Sequence, residues 1–348
     1  MFNPLARLKA ILGELRLNGQ QAVTFGRLQA DRLEALERAV SIMGSTMGRE
    51  VDRIDARVEA AHKALVRTVQ QEFVRSATML QEQLATGGQG AAAFEALATP
   101  ESGRRLRSLA ALIVPQRVPG LAKCRVGPAH DGGYVMLDDW AGIAGALSIG
   151  IGNDDGWDRD LVGRGIPVAQ YDHTITAPPF AGPGLAWQPL GIAAEDVNNL
   201  RSLRSLISLS GLPQTGDLLL KLDAESAEWA ALGAGETAAP LGRFRQIVVE
   251  FHWFERIAED DWFAAAEQAL THLHRSHAMV HVHANNWGGV VLLGGIAFPR
   301  VLELTFARRD AYAFEDETGL FPTAFDAPCN ENRPDLYLGT FRFPPPGG

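Results

Sequence analysis

The strongest limit on how this chain can fold is a series of short, mostly apolar runs separated by helix-length segments. From residue 146 onward the runs are Ala146–Ile151, Val168–Tyr171, Leu185–Pro189, Leu218–Leu222, Ile247–Phe251, Met279–His283 and Val301–Phe306. Within Leu218-Leu219-Leu220 and Ile247-Val248-Val249 no polar residue alternates with the apolar ones, so neither face of these strands is suited to water. Seven such strands alternating with helices predict an α/β unit, a doubly wound parallel sheet covered on both faces. Ligands on such sheets bind beyond the carboxyl ends of the strands, where strand order reverses. The residues just after each run are therefore the candidates for function.

The preceding region follows a different rule. Between Leu33 and Leu84 there is no proline, and apolar residues recur in steps of three and four, from Leu33, Leu36 and Val40 through Val51, Ile54 and Val58 to Leu80 and Leu84. This is a coiled-coil seam, with stutters at Met47–Val51 and Leu65–Val69–Phe73, and it predicts an oligomerisation helix over residues 31–85. A helix of that length extends on the order of 75 Å, too far to lie wholly against one domain, so a homo-oligomer is expected. Residues 1–30 form a short amphipathic helical segment striped by Leu5, Leu8, Leu12 and Leu15. Its first 17 residues could touch a partner or a membrane surface, although only Arg7, Lys9 and Arg16 are basic. Residues 86–94, with Gly87, Gly88 and Gly90, read as a flexible joint, and 95–348 as the α/β domain.

Charge narrows the partners. The chain carries a net charge of −9, divided as +2 over residues 1–85 and −11 over the remainder. Nucleic acid is excluded as an expected partner, and polyanionic acceptors are disfavoured by repulsion. Cys124 and Cys329 stand alone, which offers neither a disulfide framework nor a Cys-rich zinc site and fits a reducing cytoplasm. No apolar run approaches ~18 residues, and Met1–Arg16 lacks an export signal's apolar core. No membrane span and no export are expected.

Just after the first strand comes Gly150-Ile151-Gly152-Asn153-Asp154-Asp155, whose glycines allow a tight turn and a close backbone approach to a ligand. Asp172 closes the second strand, where a carboxylate accepts hydrogen bonds from a ribose. The third glycine of a dinucleotide fingerprint is absent, and an acid in its place would repel a pyrophosphate. A nucleoside without phosphate is the preferred ligand. The same glycines also suit an ordinary strand-to-helix turn.

Three further segments complete a pattern: Lys221-Leu222-Asp223-Ala224-Glu225-Ser226-Ala227-Glu228-Trp229, Val249-Glu250-Phe251-His252, and His281-Val282-His283-Ala284-Asn285-Asn286. With Arg125-Val126-Gly127, Asp131-Gly132-Gly133-Tyr134-Val135 and the Ser-x-Gly-Ile-Gly-x-Asp form of the first loop, they resemble the FkbM-like methyltransferases over roughly residues 120–310. That family carries Lys-x-Asp-x-Glu-Gly-x-Glu after its fourth strand. Lys221, Asp223, Glu225 and Glu228 match it, and Ser226 replaces the glycine. The resemblance implies a Rossmann-like seven-stranded class I methyltransferase domain, S-adenosyl-L-methionine as cofactor, and methylation of a hydroxyl on a sugar, glycan or glycosylated metabolite. It further implies that Gly150, Ile151, Gly152, Asp154, Asp172, Ile192 and Asp223 bind the cofactor. Many such enzymes place an acid two residues before the first glycine. Here that position is Ser148, which leaves Asp154, Asp155 or Asp158 to take the task.

A hydroxyl is a poor nucleophile until a base within hydrogen-bond reach removes its proton. His252 and His283 end the fifth and sixth strands, and Asp223 and Glu225 follow the fourth, so these four are the expected catalytic residues, with His252 as base. An unperturbed imidazole is largely neutral at pH 7, and Asp223 is expected to orient it or the acceptor. Glu250, Asn285, Asn286 and Trp253 are the expected substrate-binding residues, and Trp229 and Trp287 lie beside them. No metal is required, although Asp223, Glu250 and His252 would suit a magnesium- or manganese-like ion. His281 reads as structural or surface, on the opposite side of its strand from His283, and His272, His274 and His277 as surface. A rival reading, supported by Ser148 and Ser226, is an inactive methyltransferase-like scaffold.

Overall fold

The computed structural model describes residues 97–343, together with Glu34 and residues 36–42. The segment 1–30, nearly all of the coiled coil over 31–85, and the joint 86–94 lie outside the described residues, apart from a helical stretch over 36–42. The chain divides into two units, Met1–Gln83 and Leu84–Gly348, and the sheet and both cavities belong to the second.

That unit opens with α1 (Pro100–Leu112), whose N-cap Thr99 accepts the amide of Ser102 at 3.1 Å and whose first turn holds the proline. An antiparallel hairpin follows, Lys123–Val126 against Tyr134–Leu137. Seven strands then form the central sheet: β1 (Ile143–Ile149), β2 (Val168–Tyr171), β3 (Leu185–Gln188), β4 (Asp217–Leu222), β5 (Phe244–Phe251), β6 (His277–Ala284) and β7 (Leu302–Arg308). Interleaved helices are α2 (Gly156–Gly163), α3 (Leu203–Leu209), α4 (Ala227–Gly233) and α5 (Asp260–Ser276).

Each strand contains most of one apolar run from the sequence, and the burial explains why the runs in β4 and β5 lack alternation. Along β4, Leu218, Leu220 and Leu222 enter the larger core with α1, α3, α4 and α5, while Leu219 enters a second core with Trp157 and Leu161 of α2. In β5, Ile247 and Val249 face the first core and Val248 the second. Successive side chains point to opposite faces, so a strand covered on both sides keeps apolar residues at consecutive positions, as β4 and β5 do, whereas the polar residues buried in β6 and β7 are held by hydrogen bonds.

The strand order across the sheet is β3-β2-β1-β4-β5-β7-β6. This is the doubly wound order 3-2-1-4-5-6 with one extra strand inserted before the last. The sheet is parallel, as expected, except at that strand: β7 runs antiparallel to both β5 and β6. Parallel connections need a crossover, usually helical. The chain between β6 and β7 is instead spent on a turn and a small hairpin, Val290–Leu293 with Ile296–Pro299, so it returns in the opposite sense.

Several histidines are less exposed than the sequence suggests. His272 bonds the Leu232 carbonyl at 2.8 Å, and His277 begins β6 and bonds the Phe244 carbonyl at 2.8 Å, so both are buried rather than at the surface. His274 is exposed, as expected. Among the described residues no helix is long and apolar enough to cross a membrane.

Candidate active site

Chain order reverses between β1 and β4, and the carboxyl ends of these strands open into a cavity of about 660 Å³. Gly150 leaves β1 at φ +78°, and a Cβ there would sit 1.6 Å from the Asp223 carbonyl oxygen, so only glycine fits between the ends of β1 and β4. Lys221 bridges the same gap, its Nζ donating to the Gly150 carbonyl at 2.8 Å. Gly152 donates its amide to Asp172 Oδ2 at 2.8 Å, while Thr174 donates both its amide and its hydroxyl to Oδ1. Burial alone would raise the Asp172 pKa, but these bonds outweigh it and hold the carboxyl below its ordinary value. The loop after β1 and the end of β2 are thus tied together through an ionised carboxylate.

All seven expected cofactor residues, Gly150, Ile151, Gly152, Asp154, Asp172, Ile192 and Asp223, line this cavity. Of the three acids considered in place of Ser148, only Asp154 does. Asp155 is buried and ion-paired with Arg159 at 2.8 Å. Asp158 is buried beneath the loop, where it accepts from Gln170 at 2.6 Å, and burial raises its pKa to about 6.

A second cavity of about 530 Å³ adjoins the first, and Asp131, Asp223 and Glu225 line both. His252, Glu250, Trp253 and Asn285 complete much of its wall. His252 is 6% exposed, and its orientation is fixed from behind. Glu228, fully buried at the start of α4, accepts the His252 amide at 2.9 Å and its Nδ1 at 3.0 Å through one oxygen, and the Ser226 amide at 2.8 Å through the other. With Nδ1 donating to a carboxylate, the lone pair of the neutral ring lies on Nε2. Nε2 stands 3.6 Å from Glu225 and 3.6 Å from Glu250, beyond hydrogen-bond length. Burial disfavours the imidazolium, but the Glu228 bond and the charges of Glu228, Asp223 and Glu225 prevail, so the pKa lies above 6.5. The expectation of an unperturbed histidine is therefore corrected to that of a stronger base.

The surrounding carboxyls move in the same direction. Burial raises Asp223 to about 6, and it places Glu250 well above the ordinary carboxylate range with the help of Asp223, Glu303 and Asp131. Asn285 donates to Glu250 at 2.7 Å and so joins the wall as expected. Trp253 and Trp287 are exposed at its edge, whereas Trp229 is core, stacked on Phe251 and donating to the His252 carbonyl at 2.7 Å.

Two of the expected site residues lie elsewhere. His283 lines neither cavity: Nδ1 meets Glu303 at 2.7 Å and Nε2 meets Asp335 at 3.0 Å. Burial opposes its charge, yet the two carboxylates raise its pKa to about 10, so it is a locked cation and no base at neutral pH. Asn286 is spent on the C-terminal segment, donating to the carbonyl of Asn330 at 3.0 Å and accepting the Asn330 amide at 2.6 Å. His281 is buried, bonded to Asp326 at 2.8 Å, on the same side as His283, because residues two apart on a strand share a face.

The residue that orients the histidine is Glu228, while Asp223, expected to orient either the histidine or the acceptor, lies on the wall shared by the two cavities. Glu228 stands three residues after Glu225 in the Lys221–Trp229 segment, and that spacing is the signal the sequence offers for it. Asp131 belongs to the Asp131–Val135 segment, where the sequence suggests no role for it, and it lies on the wall between the cavities. For a divalent ion, one donor atom each from Asp223, Glu225 and His252 lies within 4.8 Å of the others, with Glu225 in place of the expected Glu250. Asp131, Glu250 and Glu303 form a second such group. No known protein-family model matches the chain, and no curated protein matches it either.

Proposed function

We propose that the chain is an S-adenosylmethionine-dependent O-methyltransferase of the FkbM-like kind, with a class I methyltransferase domain, acting on a hydroxyl of a sugar-like or glycosylated acceptor. The observation that carries this reading is the pair of adjoining cavities, one built around a glycine loop and Asp172, the other around His252 with its free Nε2. The first cavity falls in the ~300–1,000 Å³ range of small-molecule sites. Its donor set suits this cofactor. Asp172 has capacity left on Oδ2 for a ribose hydroxyl. Asp154 stands where a pyrophosphate would be repelled, and the shared acidic wall favours a ligand bearing positive charge.

When bound, the cofactor supplies an electrophilic methyl group on a sulfonium. The chain's own residues then have two tasks. The first is positioning: the acceptor oxygen must be held in line at ~3–3.5 Å, and the wall of Asp223 and Glu225 between the cavities is placed to align it. The second is the proton. His252 Nε2 accepts it from the hydroxyl, and Glu228 fixes the ring and stabilises the imidazolium that results. Homo-oligomerisation through residues 31–85, a peripheral role for residues 1–17 and a cytoplasmic setting belong to the same proposal.

Thermal unfolding with S-adenosylhomocysteine tests the reading. At a hundredfold excess over its dissociation constant the ligand should add about 2.7 kcal/mol of stability. The absence of any shift at millimolar ligand would overturn it. No step is assigned to a metal, so chelator-treated protein should retain its turnover.

A further inference from the structure

The second cavity is more acidic than a neutral hydroxylated acceptor requires. Asp131, Asp223, Glu225, Glu250 and Glu255 line it, and the basic residues beside them are His252 and Arg300. Arg300 is already directed to Glu255, at 3.5 Å. Lys221, the nearest cation to Asp223 at 3.9 Å, is committed to the Gly150 carbonyl and lines the other cavity. Carboxylates therefore outnumber cations on this wall among the described residues.

Two independent observations indicate what meets that charge. The His252 side chain is 7% exposed, yet its Nε2 has no hydrogen-bond partner among the described residues, and carboxylate oxygens stand at 3.6 Å on either side. That gap suits a polar group of a ligand. Trp253 and Trp287 line the same cavity at 42% and 57% exposure, and Trp253 holds a left-handed backbone at φ +67°. Exposed indoles beside carboxylates attract an organic cation through their ring faces and pack on the C–H face of a sugar ring. An inorganic divalent ion would make no use of them.

We propose that the acceptor entering this cavity is a polyhydroxylated amine, a sugar or related polyol bearing a free ammonium group. The ammonium lies among the carboxylates and against the indoles, and a neighbouring hydroxyl is presented to His252. Its role as methyl acceptor rests on the methyltransferase function, whereas the charge preference of the cavity does not.

The test is equilibrium binding to the full chain, followed by tryptophan fluorescence, with EDTA present and both with and without S-adenosylhomocysteine. The probes are glucosamine, glucose, N-acetylglucosamine and glucuronate. Glucosamine should bind at least tenfold more tightly than glucose or N-acetylglucosamine, glucuronate should not saturate, and the glucosamine affinity should fall as salt rises. The exposed-site variant Trp287→Ala should reduce the preference for glucosamine severalfold without loss of fold. Equal affinities for glucosamine and glucose, tighter binding of glucuronate, or no binding of any of the four would overturn the proposal. Failure of S-adenosylhomocysteine to bind would instead count against the methyltransferase reading, and the sugar series measured without it would still decide the charge preference.

Discussion

The regions around His252 and His283 are built from the same materials and differ in one bond. Each places an imidazole at the end of a strand, buries it almost completely, and bonds its Nδ1 to a buried glutamate, Glu228 in one case and Glu303 in the other. At His283 the second nitrogen is also taken, by Asp335. At His252 it faces a cavity between carboxylates too distant to bond it. Residue type and strand position therefore do not decide what a histidine does. The partner of its second nitrogen decides, leaving one ring with an unbonded nitrogen, the base of the proposed function, and making the other a structural cation.

Four substitutions put this contrast at risk. His252→Ala should have the largest effect, lowering kcat by ~10²–10⁴-fold, the usual contribution of a general base, with S-adenosylhomocysteine affinity changed little. Retained turnover in steady-state kinetics would remove His252 from the role. His283→Ala should act on stability instead, costing ~3–5 kcal/mol because the buried Glu303 and the half-buried Asp335 are left without their cation, a fall in Tm of roughly 10 °C. The sign of its pH dependence follows from its raised pKa. The stabilisation is complete below the unfolded value near 6.5 and is lost as pH rises through about 10. Wild-type Tm should therefore decline between pH 7 and 10, and the slope should flatten in the variant.

Glu228→Gln should lower kcat by ~10–100-fold, within the effect expected for a residue that orients another. Its distinguishing mark is the pH–rate profile. Turnover should rise with pH as His252 loses its proton, and removing the Glu228 charge should shift that rise to lower pH. The smallest expected effect is at Ser226, which holds φ +90° where the related motif carries glycine. Ser226→Gly should relieve that strain and stabilise the fold by ~1 kcal/mol, measured by denaturant unfolding.

Much of the fold is legible because burial on both faces of a sheet leaves an unmistakable mark, the unbroken apolar run. The central strands β4 and β5 carry it most clearly, at Leu218-Leu219-Leu220 and Ile247-Val248-Val249, and the glycine loop with Asp172 follows from the strand ends. The direction of β7 is not legible, since a run of strand residues is the same read up or down, and it is the turn and hairpin after β6 that reverse it. The locking of His283 is hidden for a related reason. Its second partner, Asp335, comes 52 residues later from a segment with no strand or helix pattern of its own. Asn286 is opaque on the same account, being held by Asn330. Glu228 stands in plain view within its motif, but the sequence does not show that its carboxylate bends back to the end of β5 rather than toward the ligand.

Histidine ring titration by NMR, with and without S-adenosylhomocysteine, puts the two imidazoles side by side in one experiment. The His252 ring should titrate above 6.5, and its resonances should move when the ligand fills the neighbouring cavity, while those of His283 remain protonated to about pH 10 and do not respond. A His252 ring indifferent to the ligand, or a His283 ring that titrates near neutrality, would contradict the division of roles between them.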